Sequence, residues 1–93
     1  RKFKYYKRKH YEMYLEFYSF VFYIAGVDIH IDDRLGKLKI SDEGINKRDQ
    51  MVIESFYSKK IPLCGVLGGG YNRSFAKLIE LHSMLHKNCQ NYF

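Results

Sequence analysis

The sequence predicts an α/β fold in the order strand, helix, strand, helix, and three observations carry that expectation. Two short apolar runs, Phe20-Val21-Phe22-Tyr23-Ile24 and residues 61–67, have the composition of strands buried on both faces, as parallel sheets require. Between and after them lie two segments with helix-type caps and helical apolar spacing. Each run is followed by a loop containing glycine and polar residues, 28–36 after the first and 68–72 after the second. A strand–helix–strand unit of this size is normally a right-handed crossover between parallel strands. Both loops then follow carboxyl ends and open on one edge of the sheet, where open α/β folds place their ligands.

The elements follow in order. Residues 1–19 interleave Tyr, Phe and Lys without a clean period, with 12–20 compatible with a helix. The first strand ends at Ala25-Gly26 and leads into the acid-rich loop Asp28-Ile29-His30-Ile31-Asp32-Asp33-Arg34-Leu35-Gly36. Ser41 is a good N-cap, and Asp42 and Glu43 follow where the positive end of a helix dipole favours carboxylates. That helix runs to about residue 59, presenting Ile45, Val52 and Phe56 on one side, with Lys59-Lys60 at its negative end. Pro62 stands just past it, where a strand can begin but a helix cannot continue. Gly68-Gly69-Gly70-Tyr71-Asn72 forms the second loop. Ser74 caps a last helix, whose Phe75, Leu78, Ile79, His82 and Leu85 fit the spacing i, i+3, i+4, i+7, i+10.

Charge and cysteine usage narrow the function classes. The formal net charge of the 93 residues is +6, but six of the 16 bases are Arg1, Lys2, Lys4, Lys7, Arg8 and Lys9. The remainder carries ten bases against ten acids. A nucleic-acid face would spread its Lys and Arg over the folded part, so no specific nucleic acid is expected as a partner. The apolar stretch 17–27 is bounded by Glu16 and Asp28 and falls short of the roughly 18 residues a spanning helix needs. No signal-peptide pattern follows the basic arm. Cys64 and Cys89 are too few for a disulfide framework or a zinc ribbon, and reduced thiols in a cytoplasmic protein are expected.

Three ordered motifs carry the chemistry: Ala25-Gly26-Val27-Asp28, Asp33-Arg34-Leu35-Gly36 and Gly68-Gly69-Gly70-Tyr71. Together with Ser41-Asp42-Glu43-Gly44-Ile45, Lys47-Arg48-Asp49 and Ile61-Pro62, they resemble the C-terminal part of the histone deacetylase family over roughly residues 20–88. The likeness is to its bacterial and class IV-like members. It implies an arginase-like parallel-sheet deacetylase domain several times longer than this chain. Residues 20–93 would be a βαβα fragment of that domain, and 1–19 a separate basic aromatic segment. It also implies zinc as cofactor and acetyl-lysine or another acylated amine as substrate. By the resemblance Asp28 is a metal ligand, and Tyr71 donates a hydrogen bond to the oxyanion. Gly69 and Gly70 form the substrate-binding loop. Read on their own, Asp33 and Arg34 are expected to pair and brace the first loop rather than touch substrate.

Other readings of the same residues carry less. Asp28-Ile29-His30 looks like the family's Asp-x-His ligand segment, but the Asp33-Arg34-Leu35-Gly36 that follows places it in the later motif. His30 is therefore expected at the rim or in the loop. His82 and His86 have the spacing of a helical metal pair, but Ser83 stands where that motif needs Glu, so a packed or solvated pair is expected. The glycines at 68–70 lack the dinucleotide spacing. None of the four histidines is adjacent to another, and a second Asp-x-His ligand segment is missing. The expectation is a C-terminal piece or the product of a broken gene, inactive alone and completed by an N-terminal fragment or by homo-oligomerisation. The alternative is a non-enzymatic remnant whose basic arm binds acidic partners.

Overall fold

The structure is a computed structural model and describes residues 19–92. The basic arm and the helical reading of 12–18 lie outside the described residues. Strand β1 (Val21–Ala25), helix α1 (Asp42–Ser58), strand β2 (Leu63–Leu67) and helix α2 (Phe75–Gln90) follow in the expected order. The strands pair in parallel, with register running from Val21 opposite Leu63 to Ala25 opposite Leu67. The fold is thus α/β, with the two loops that follow strands at the carboxyl edge of the sheet.

The helix starts are local events. Ser41 Oγ accepts the Gly44 N–H at 3.1 Å and Ser74 Oγ accepts the Lys77 N–H at 3.2 Å, each satisfying a donor that the first turn leaves free. Helix α1 ends one residue before expectation, with Lys60 in the left-handed region (φ 58°) that usually takes glycine. Strand β2 begins after Pro62, whose carbonyl accepts the Val21 N–H at 3.0 Å.

The core lies on one side of the sheet. Val52 and Phe56 of α1 pack on Val21, Tyr23, Ile61 and Leu63. Ile53 and Leu85 meet Ala25, with Cys89 and Tyr92 beside them. Val27, Ile45 and Leu81 form a third cluster with Ile29, Ile40, Leu78 and Met84. That cluster underlies the first loop and joins it to both helices.

Two expectations need correction. Burial of the first strand on both faces is not observed: Phe22 and Ile24 are 68% and 70% exposed, because the described residues supply one helical layer and not two. Their register partners Cys64 and Val66 share that side. The apolar stripe of α2 is also displaced around the helix. Leu81, Leu85 and Asn88 are buried, whereas Phe75 (74% exposed) and Ile79 face outward. Contact with α1 decides this, since Asn88 Nδ2 donates to Asn46 Oδ1 at 2.8 Å across the helix pair. Among the described residues, no helix is long and apolar enough to cross a membrane.

Candidate active site

The first loop is held by its own backbone. Ile31 N–H donates to the Ile40 carbonyl at 2.9 Å and Ile40 N–H to the Ile29 carbonyl at 3.0 Å, so the loop closes on itself before α1 starts. His30 sits inside this closure and is 1% exposed, so of the two expected places it takes the loop and not the rim. Its Nδ1 accepts the Asp32 N–H at 3.2 Å, so the ring proton lies on Nε2, which is bonded to Asp42. Both ring nitrogens are engaged, and His30 is no free ligand. Asp42 also accepts from Lys77 at 2.8 Å, and Lys77 then Nε2 of His30 hold its carboxyl below the usual range. A loop, a helix start and the first turn of the second helix are thereby tied together.

The second loop lies beside the first. Val27 N–H donates to the Gly69 carbonyl at 2.6 Å, which sets Gly69 next to Asp28. A Cβ on Gly69 would stand 2.7 Å from Asp28 Oδ2 and 3.4 Å from Tyr71 Cε2, so only glycine leaves this space open. The Asp28 carboxylate and the Tyr71 ring therefore converge on one point although 43 positions separate them in sequence. Asp28 is half-buried, and its carboxylate has no hydrogen-bond partner among the described residues. Tyr71 is exposed. Gly70 lies over Val27, Leu78 and His82, and continues the same close approach.

Asp33 and Arg34 do not form the expected pair. The Asp33 carboxylate accepts backbone N–H groups instead: Tyr71 at 2.6 Å, Gly36 at 2.8 Å and Leu35 at 3.0 Å. Burial raises its pKa, but those three donors and the Arg34 charge outweigh burial, and the net shift is downward. Arg34 contributes its own N–H, 3.4 Å from the Tyr71 carbonyl.

Beneath the loops is a polar cluster that sequence reasoning missed. Asp49 is buried and accepts from Tyr23 Oη at 2.5 Å and from Arg48 Nη2 and Nε at 3.0 and 3.1 Å. Arg48 Nη1 donates to the Gly26 carbonyl at 2.5 Å, two residues before Asp28. Burial, then the bond to Asp49, holds the Tyr23 phenol well above its ordinary range. Burial and the nearby Arg48 charge lower the pKa of His82, whose Nδ1 is buried without a partner among the described residues. The signal for Asp49 was in the sequence: it stands on the apolar stripe of α1 between Ile45 and Val52, where a lone charge requires partners.

A catalytic zinc takes about three protein ligands and keeps one position open. Asp28 has the chemistry asked of one of them, a carboxylate after a strand end without a partner among the described residues, in a cradle that a side chain on Gly69 would fill. Among the described residues, no group of three or more His, Cys, Asp or Glu side chains could hold a metal. The described residues therefore offer one carboxylate without a partner among them and do not make a centre. His82 is half-buried and His86 is exposed.

With this geometry in place, comparison with known proteins decides the family. The histone deacetylase domain profile matches residues 4–85. The chain belongs to the histone deacetylase family. The match begins inside the basic aromatic segment and runs through both candidate site loops into α2. The chain is 48% identical over 59 residues to histone deacetylase 2 of Arabidopsis thaliana, covering 63% of this chain and 15% of that protein. It is 38% identical over 73 residues to an uncharacterized protein of Picosynechococcus sp., covering 78% of this chain and 24% of that protein. The chain thus spans a quarter or less of the length of these curated relatives. The parallel sheet with helical cover is a part of a deacetylase domain of that family.

Proposed function

We propose that this chain supplies Asp28 and Tyr71 to a zinc-dependent amide hydrolase acting on acetyl-lysine or another acylated amine, and that the chain alone is inactive. The observation that carries this reading is the convergence of the Asp28 carboxylate and the Tyr71 ring on Gly69. Asp28 would be one ligand of the metal, the others coming from outside the described residues. Zinc, when bound, supplies a Lewis acid for the amide carbonyl. Tyr71 would direct its phenol proton at the carbonyl oxygen, where a donor counts most as negative charge builds. Gly69 and Gly70 let the backbone lie close beneath the substrate.

The test is a graft in which this chain replaces the stretch it matches in the Arabidopsis relative. The graft should hydrolyse acetyl-lysine amides only with zinc. Asp28→Ala should abolish that hydrolysis, and Tyr71→Phe should lower kcat by about 10²–10³-fold, as for loss of one oxyanion donor. Undiminished hydrolysis by Asp28→Ala would remove the metal assignment. Turnover by the 93-residue chain with stoichiometric zinc would remove the proposed inactivity.

A further inference from the structure

One carboxylate stands between the two candidate site residues. We infer that Asp33 is a positioning residue that sets the spacing of Asp28 and Tyr71, an inference that rests on reading those two as the site. Its Oδ1 accepts the Tyr71 N–H at 2.6 Å, a bond that spans 38 positions of sequence. Its Oδ2 accepts the N–H groups of Leu35 and Gly36 at 3.0 and 2.8 Å. Gly36 in turn lies flat against the backbone of Asp28, where an added Cβ would fall 1.7 Å from the Asp28 carbonyl oxygen. The carboxylate therefore holds the backbone of Tyr71 on one side and, on the other, that of Gly36, which packs against the Asp28 backbone.

Other links between the loops at this point are sparse. They are the Val27 N–H to the Gly69 carbonyl at 2.6 Å, just ahead of the first loop, and the isolated bridge of Asp33 with Asn72, which includes the 3.4 Å approach of Arg34 N–H to the Tyr71 carbonyl. Beside them the Tyr71 N–H on the ionised Asp33 carboxylate is charge-assisted, and such bonds are roughly twice as strong as neutral ones. Asp33 points its oxygens at backbone amides and touches no reacting atom. Its influence on the chemistry would pass through the placement of Tyr71, and a shift of about 1 Å in such a group costs on the order of 10²-fold in rate.

Two measurements test this. In the 93-residue chain, amide hydrogen exchange is followed by NMR for the unsubstituted protein, Asp33→Ala and Asp33→Asn. Asp33→Ala should speed exchange at Tyr71, Leu35 and Gly36 by about tenfold or more, as loss of a bond to a charged group implies, while Val52 and Ile53 in the core of α1 stay protected. Asp33→Asn offers an oxygen to one side and an NH2 to the other, so it should protect Tyr71 or the Leu35–Gly36 pair but not both. It also serves if the alanine variant does not fold. Unchanged exchange at Tyr71, or an equal rise throughout the chain, overturns the inference. In the graft, Asp33→Ala should lower kcat about 10²-fold with KM nearly unchanged, and should cost little more when Tyr71 is already Phe. Full additivity of the two substitutions would show that Asp33 does not act through Tyr71. A graft with no hydrolysis at all defeats the site reading, and the exchange data then decide on their own whether Asp33 holds the two loops.

Discussion

Residues 28–36 and 68–72 meet at the same edge of the sheet but are held by different means. The first loop is closed by its own groups: the backbone pair of Ile31 and Ile40, the buried His30 on Asp42, and Asp33 on its own Leu35 and Gly36 amides. The second is nearly bare, with three glycines; its Tyr71 amide is bonded to the first loop and its Gly69 carbonyl to Val27 just ahead of it. The comparison teaches that the geometry at the Gly69 cradle is written in the first loop and transmitted to the second. Rigidity lies where the side chains are, and close approach lies where they are absent.

Substitutions that separate the two roles can break this comparison. The largest effect is expected for Gly36→Ala. Its new Cβ would meet the main-chain oxygen of Asp28 at 1.7 Å, and no rotamer can relieve a backbone clash. Denaturant titration should record a loss of about 4 kcal/mol, the range reached when a special backbone position is violated. Gly69→Ala meets a side-chain oxygen at 2.7 Å instead, which can swing away. It should cost under about 1 kcal/mol in the same titration yet remove hydrolysis by the graft, because the swing displaces Asp28. Equal stability losses at the two glycines would dissolve the distinction.

A second substitution pair tests the support beneath the first loop. Leu81 packs with Val27 and Ile45, so Leu81→Ala should cost about 3 kcal/mol. Ile79→Ala, on the outward side of α2, should stay within about 0.5 kcal/mol. Thermal melts of both variants check the assignment of the buried side.

Acid gives the smallest effect. Asp33 and Asp42 both have folded-state pKa values below their ordinary ones. Their contribution is therefore complete above the unfolded carboxyl value of about 3.9 and is lost as pH falls through the lower folded values. Unfolding midpoints measured from pH 6 to pH 2 should fall at the acid end, and Asp33→Asn should flatten that fall. Solvent reaches both carboxyl groups, so the change is modest.

Much of this was legible in the sequence because it is local. Strand composition, Ser41 and Ser74 as caps, and the Gly-rich loops each declare themselves within a few residues. What the sequence left hidden depends on partners distant along the chain. The apolar residues of α2 offer two overlapping stripes, one through Phe75 and Ile79 and one through Leu81 and Leu85. Only the seat against α1 chooses between them. The burial of His30 depends on Asp42 twelve positions on, and the role of Asp33 on an amide 38 positions away. The convergence of Asp28 and Tyr71 was legible through topology alone, since parallel strands bring their carboxyl ends to one edge.

The open side of the sheet has a thermal consequence. Phe20 and Phe22 meet edge to face at 5.1 Å and, with Ile24, leave a row of apolar surface already wet in the folded chain. Each Å² of apolar surface first wetted on unfolding adds ~0.45 cal/mol/K to the heat capacity of unfolding. This row adds little, because water reaches it before unfolding begins. The heat-capacity increment per residue should therefore fall below that of ordinary domains, giving a stability curve with a flatter dome and a weaker fall on cooling.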